Sequence, residues 1–141
     1  MHKQNLEKED HGLIDATNAE FQKSLPKDWH GVAAALRLRS GKIVTGFVLE
    51  AENPALTICA EPIALGKALE DMAADPVTTI VAVRARETTS HKVIPPCGRC
   101  REFITDYCTD AGVIVYDEEA GELIKVPAAD LLPFKYRAEP L

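Results

Sequence analysis

Aromatic side chains are scarce, at 6% of 141 residues, with a single tryptophan, and there are only four cysteines. Four cysteines in a chain of this length do not make a disulfide scaffold. No apolar run approaches the roughly 18 residues that a membrane-spanning helix needs. The start, Met1-His2-Lys3-Gln4-Asn5-Leu6-Glu7, lacks the apolar stretch of a secretory signal. Positive charge is in deficit, with 16 Lys and Arg against 22 Asp and Glu, a net −6. A chain of that sign has no overall field to draw it onto nucleic-acid phosphates. The expected partner is a small molecule, with no nucleic-acid polymer and no membrane. What is present is an ordinary globular mix, 46% hydrophobic and 27% charged. The length fits one domain over 1–141.

Leu13, Ile14, Thr17, Phe21 and Leu25 recur at helical spacing until Pro26, which predicts a helix over about 10–25. Two runs, 32–39 and 43–49, flank the turn signal Ser40-Gly41-Lys42 and read as a β-hairpin. Asn53-Pro54 breaks a loop over 50–57. A helical pattern follows from Ile58 to Ala74, with Ile63, Ala64, Ala68, Leu69 and Met72 on one side. The β-branched run Val77 to Val83 reads as a strand buried on both faces. Residues 84–96 read as a polar loop ending in Pro95-Pro96. A helix then starts at Cys97, strands follow at 113–116 and 123–126, and a last helical turn at 128–132 stops at Pro133. The order α-β-β-α-β-α-β-β predicts an α/β sandwich, helices covering a central sheet.

Two segments carry chemistry: Cys59-Ala60-Glu61 and Pro96-Cys97-Gly98-Arg99-Cys100, each at a predicted helix start. Thiols three positions apart at a helix start share one side, so they can share one metal. A third thiol from another helix start leaves tetrahedral zinc one open position, as a catalytic zinc requires. Three thiolates and Zn²⁺ sum to −1, which two positive helix ends offset. Glu61, two residues past the first ligand, can reach toward the open position as a proton carrier. A closed structural zinc site has no use for that carboxylate. Cys108 lies two helical turns beyond Cys100 and reads as a core thiol; if it ligated, the site would be a closed, non-catalytic zinc or thiol module.

A Cys or His, one residue, Glu, and then Pro-Cys-x-x-Cys is the signature of zinc nucleobase deaminases. On these residues the chain resembles the small free-nucleoside branch, the cytidine and blasticidin-S deaminases. The Ser40-Gly41-Lys42 hairpin, the Cys100-Arg101 step and the closing Leu131-Leu132-Pro133 match as well, so the resemblance runs over about 10–135. It implies a three-layer α/β sandwich: a mixed five-stranded sheet with helices on both faces. It implies one Zn²⁺ per chain on Cys59, Cys97 and Cys100. It implies Glu61 as the catalyst, taking a proton from the nucleophilic water and passing it to ring N3, and later carrying a proton to the leaving ammonia. The 4-amino group of a cytosine-type nucleoside becomes a carbonyl. A homotetramer or homodimer in the cytoplasm is implied too. The other reading within the enzyme class is a deaminase of another small amino-heterocycle.

Substrate contacts are implied at Glu50, Ala60 and His30. Cytidine deaminases resemble one another in an Asn-x-Glu-Asn segment eleven residues before the first zinc cysteine, which holds the ribose. Here that segment reads Val48-Leu49-Glu50-Ala51. The Glu is kept and the first Asn is Val48, which turns the expectation toward a substrate other than a plain ribonucleoside. After Glu61, three-cysteine members often carry an Arg that offsets thiolate charge. Here Pro62 stands there, leaving Arg99 or Arg101 to do so.

Overall fold

The computed structural model describes residues 1–23, 31–85 and 92–139. The first helix, α1, spans Lys8–Glu20 and continues as a 3-10 turn over Phe21–Lys23. It starts two residues earlier than the periodicity indicates. The cause is local: the Glu7 N–H donates to the Asp10 carboxylate at 3.0 Å, which closes the first turn. The expected end at Leu25 and Pro26 lies outside the described residues.

The hairpin forms as read, β1 over Val32–Leu38 and β2 over Ile43–Phe47. Helix α2 spans Ala60–Met72 with Cys59 as its N-cap. Its buried side is Ala60, Glu61, Ala64, Leu65 and Ala68, whereas Leu69, expected inward, is exposed. Strand β3 spans Val77–Arg84, and helix α3 spans Gly98–Tyr107 with Cys97 as its N-cap. Strands β5 (Gly112–Asp117) and β6 (Glu122–Pro127) lead into a 3-10 turn at Ala128–Leu131.

One strand was not legible. Lys92–Ile94 forms β4 inside the segment read as a polar loop, so the sheet has six strands rather than five. The order is β2-β1-β3-β5-β6, with β4 also on β3. The first half of β3 pairs in parallel with β5, through Thr79, Ile80 and Val81. Its second half, Ala82 to Arg84, is left for β4, antiparallel. Three residues are too few to show a period, so only the free edge of β3 defines that strand. The other pairings are antiparallel, and the sheet is mixed as expected.

Alternate residues of β3 enter two cores. Ile80 and Ala82 join Leu36, Ala64, Leu65, Cys100 and Ile104 under α2 and α3. Val81 and Val83 join Leu13, Ala35 and Ile114 under α1. These are the three layers expected, with the central strand buried on both faces.

The α1 layer is fastened by a buried charge. Asp10, fully buried, accepts from Arg37 Nη2 at 3.0 Å and Lys125 Nζ at 2.7 Å. Arg37 also donates to Thr79 Oγ1 at 2.7 Å. Burial pushes the Asp10 carboxyl up. The hydrogen bonds from Lys125, the Glu7 N–H and Arg37 outweigh it and hold the group below its usual 3.8. A folded-state value below the unfolded one stabilises above about pH 4 and is lost as the pH falls. Asp10→Asn is expected to cost about 3 kcal/mol at pH 7, because two partly buried cations lose their counter-charge. Urea unfolding at pH 7 and pH 3 checks this: the difference between wild type and variant shrinks at pH 3.

Candidate metal centre and active site

The three motif cysteines come from two helix starts. Cys59 caps α2 and makes no side-chain capping bond, so its sulfur is free for other use. A cap position normally holds Ser, Thr, Asp or Asn. Cys97 caps α3, and Cys100 sits in its first turn. The Cys59 and Cys97 sulfurs lie 3.7 Å apart, and those of Cys97 and Cys100 3.5 Å apart. All three fall within 4.8 Å of one another. Sulfurs bound at about 2.3 Å to a tetrahedral zinc stand about 3.8 Å apart, so the set fits that ion with one position open. Cys108 is buried at the end of α3, roughly 12 Å along the helix from Cys100 at 1.5 Å per residue. It is outside the cluster, and burial pushes its thiol up to about 12.

Without a cation, the surroundings of the cluster resist its full ionisation. Burial pushes the Cys59 thiol up. Burial and the charge of Glu61 push Cys100 far above its usual value. Burial acts the same way on Cys97, but the N–H groups of Cys100 and Arg99 facing its sulfur bring it below the ordinary value. Three adjacent thiols therefore do not all ionise alone, and a divalent ion reverses that balance.

Glu61 lies in the first turn of α2 and is only 4% exposed. Burial raises its carboxyl above the ordinary range, partly opposed by its own N–H and the Cys100 thiol. A raised carboxyl takes up a proton more readily than an exposed one, as a proton carrier must. The cavity beside it holds about 120 Å³. Its walls are Val32, Val48, Ile94 and Pro95, with Ala60, Glu61, Cys59 and Cys97 at one side. Apart from the carboxyl and the thiols, every lining side chain among the described residues is apolar.

Ala60 is fully buried in that wall. Glu50 is exposed and is not among the described lining residues, although Val48, two positions earlier, is. His30 lies outside the described residues. Val32, Ile94 and Pro95 were not singled out from sequence. The Pro95-Pro96 pair before Cys97 was the available signal for one of them.

The approach of α2 to the sheet depends on Gly46 in β2. A Cβ there would sit 2.6 Å from the Ala64 nitrogen and 3.0 Å from the Ala60 carbonyl oxygen. The helix that carries Cys59 and Glu61 thus lies directly on a strand backbone. An isolated glycine in a β-branched strand is a signal for such contact.

Comparison with known proteins agrees with this geometry. Residues 7–116 match the family model "Cytidine and deoxycytidylate deaminase zinc-binding region". A blasticidin-S deaminase of Bacillus cereus is 35% identical over 136 residues, covering 94% of this chain and 95% of that one. A cytidine deaminase of Halalkalibacterium halodurans is 28% identical, covering 90% and 92%. Among solved structures, the cytidine deaminase of Burkholderia pseudomallei superposes with a TM-score of 0.70 at 30% identity, covering 89% of this chain and 98% of that one. That of Bacillus anthracis gives 0.74 at 26% identity, covering 89% and 88%.

Proposed function

The chain belongs to the cytidine and deoxycytidylate deaminase zinc-binding family, and from that premise we propose that it hydrolytically removes the 4-amino group of a cytosine-type nucleoside. The observation that carries this reading is the cluster of three thiols, spaced for one zinc, beside a buried carboxyl at the wall of a small cavity.

Cys59, Cys97 and Cys100 would hold the ion. Bound zinc supplies the Lewis acidity that makes water nucleophilic at neutral pH. Glu61 does the proton work: it accepts a proton from the attacking water, gives it to ring N3, and then carries the remaining hydroxyl proton from C4 to the departing amino group, leaving a carbonyl. Water and the aminopyrimidine become a pyrimidinone and ammonia. The apolar walls Val32, Val48, Ile94 and Pro95 pack against the faces of a flat ring and exclude solvent. Ala60 borders the ring between ligand and catalyst. Glu50, on the exposed chain just past Val48, contacts the part of the substrate beyond the ring, and His30 is assigned to the same rim.

Val48 offers no hydrogen bond where a ribose-binding site needs one, and an unpaired buried hydroxyl costs about 1–3 kcal/mol. A substrate other than the plain ribonucleoside is therefore favoured. The test follows absorbance and ammonia release with cytidine, deoxycytidine and blasticidin S in parallel. Loss of the 4-amino chromophore is expected on at least one, with cytidine not the best. A strong preference for cytidine overturns the ranking, and silence on all three from zinc-loaded protein overturns the deaminase reading.

Both cores share one sheet, which supports a single domain over 1–141. Exposed Leu49, Leu56, Phe134 and Tyr136 support a homodimer or homotetramer. The need for three reduced thiols supports a cytoplasmic setting. No described helix is long and apolar enough to cross a membrane.

A further inference from the structure

The charge at the start of α3 runs against the usual rule. The positive end of a helix favours acidic residues. The first turn of α3 has none, and it carries Arg99 beside Cys100, with Arg101 following. Among the described residues neither arginine has a carboxylate within ion-pair distance, whereas Glu102 pairs with Lys135 at 3.0 Å.

Arg101 is also fixed in place. Half-buried, it turns back along the helix so that Nε donates to the Pro96 carbonyl at 2.9 Å. Its Nη1 donates to the Leu131 carbonyl at 3.2 Å in the closing 3-10 turn. Pro95 and Pro96 have no N–H with which to anchor the segment that enters Cys97. The guanidinium supplies that anchor one residue before the ligand. Arg99 does something similar for the other limb, through Nη1 to the Thr57 carbonyl at 3.3 Å, two residues before Cys59.

We propose that Arg101 is the positioning residue of the three-cysteine centre, clamping the Pro96 carbonyl so that Cys97 meets Cys100 at metal-binding distance. This rests on the zinc reading, which zinc binding by the wild-type protein tests separately.

The experiment measures zinc affinity by competition with a chromophoric chelator, using wild type, Arg101→Gln and Arg101→Lys. Partners one step removed from a metal commonly change affinity by 10–100-fold. Arg101→Gln is expected to weaken zinc binding by about 10–100-fold, and Arg101→Lys, which keeps the charge but not the two-carbonyl fork, by less. Melting of zinc-free and zinc-loaded protein separates this from a general packing defect. The zinc-loaded form of Arg101→Gln loses more in Tm than the zinc-free form. Zinc affinity within twofold of wild type, or equal losses in both forms, overturns the proposal. If Arg101→Gln does not fold, the lysine variant decides: unchanged zinc affinity there overturns the role of the fork. Wild type that binds no zinc instead refutes the underlying reading.

Discussion

Glu61→Gln is expected to lower kcat by about 10²–10⁴-fold while leaving the zinc content at one per chain. The carboxyl is 4% exposed, stands at the cavity wall and is raised in pKa by burial. Glutamine keeps its volume and polar shape, so packing around the first turn of α2 changes little. It cannot accept or return the proton, and both halves of the reaction use that transfer. Zinc content by elemental analysis and Tm by calorimetry verify that the site survives, and steady-state rates on the best substrate read the effect. A variant within a few fold of wild type would show that the proton travels by another route.

A second large effect is expected from a residue that touches no substrate. Gly46→Ala places a methyl 2.6 Å from the Ala64 nitrogen and 3.1 Å from its Cα. Those are backbone atoms and cannot rotate aside, so α2 must lift from the strand. Overpacking of this kind costs about 1–3 kcal/mol. The catalytic cost is larger, because α2 carries both Cys59 and Glu61, and a displacement near 1 Å can cost about 10²-fold. Gly66→Ala is the control in the same helix. A Cβ there meets nothing within 4 Å, so that variant is expected to be neutral or slightly stabilising. Comparing Tm and kcat/KM of the two variants checks the argument, and equal behaviour would refute it.

The chemistry was legible because it is written locally. Cys59 and Glu61 lie two residues apart at one helix start, and Cys97 and Cys100 share the start of another. Spacing within a helical turn follows from backbone geometry alone, so no tertiary knowledge is needed to put those side chains together. The same holds for the β-branched run that became β3 and for the hairpin around Gly41, whose φ of +92° suits glycine. Strand β4 was missed because its definition lies in the partner strand and not in its own three residues.

By itself, then, the sequence determined the three-cysteine set and the carboxyl beside it, the helix starts that bear them and the layered α/β architecture. Each depends on contacts a few residues long or on a strong hydrophobic period. The tertiary structure decided the remainder: that Cys59 and Cys97, 38 positions apart, stand 3.7 Å from each other, that Cys108 stays out of the cluster, that Val48 faces the cavity while Glu50 lies exposed, and that Arg101 reaches two carbonyls from distant turns. Those outcomes depend on sheet register and on how closely α2 and α3 pack upon it, and no local pattern encodes either distance.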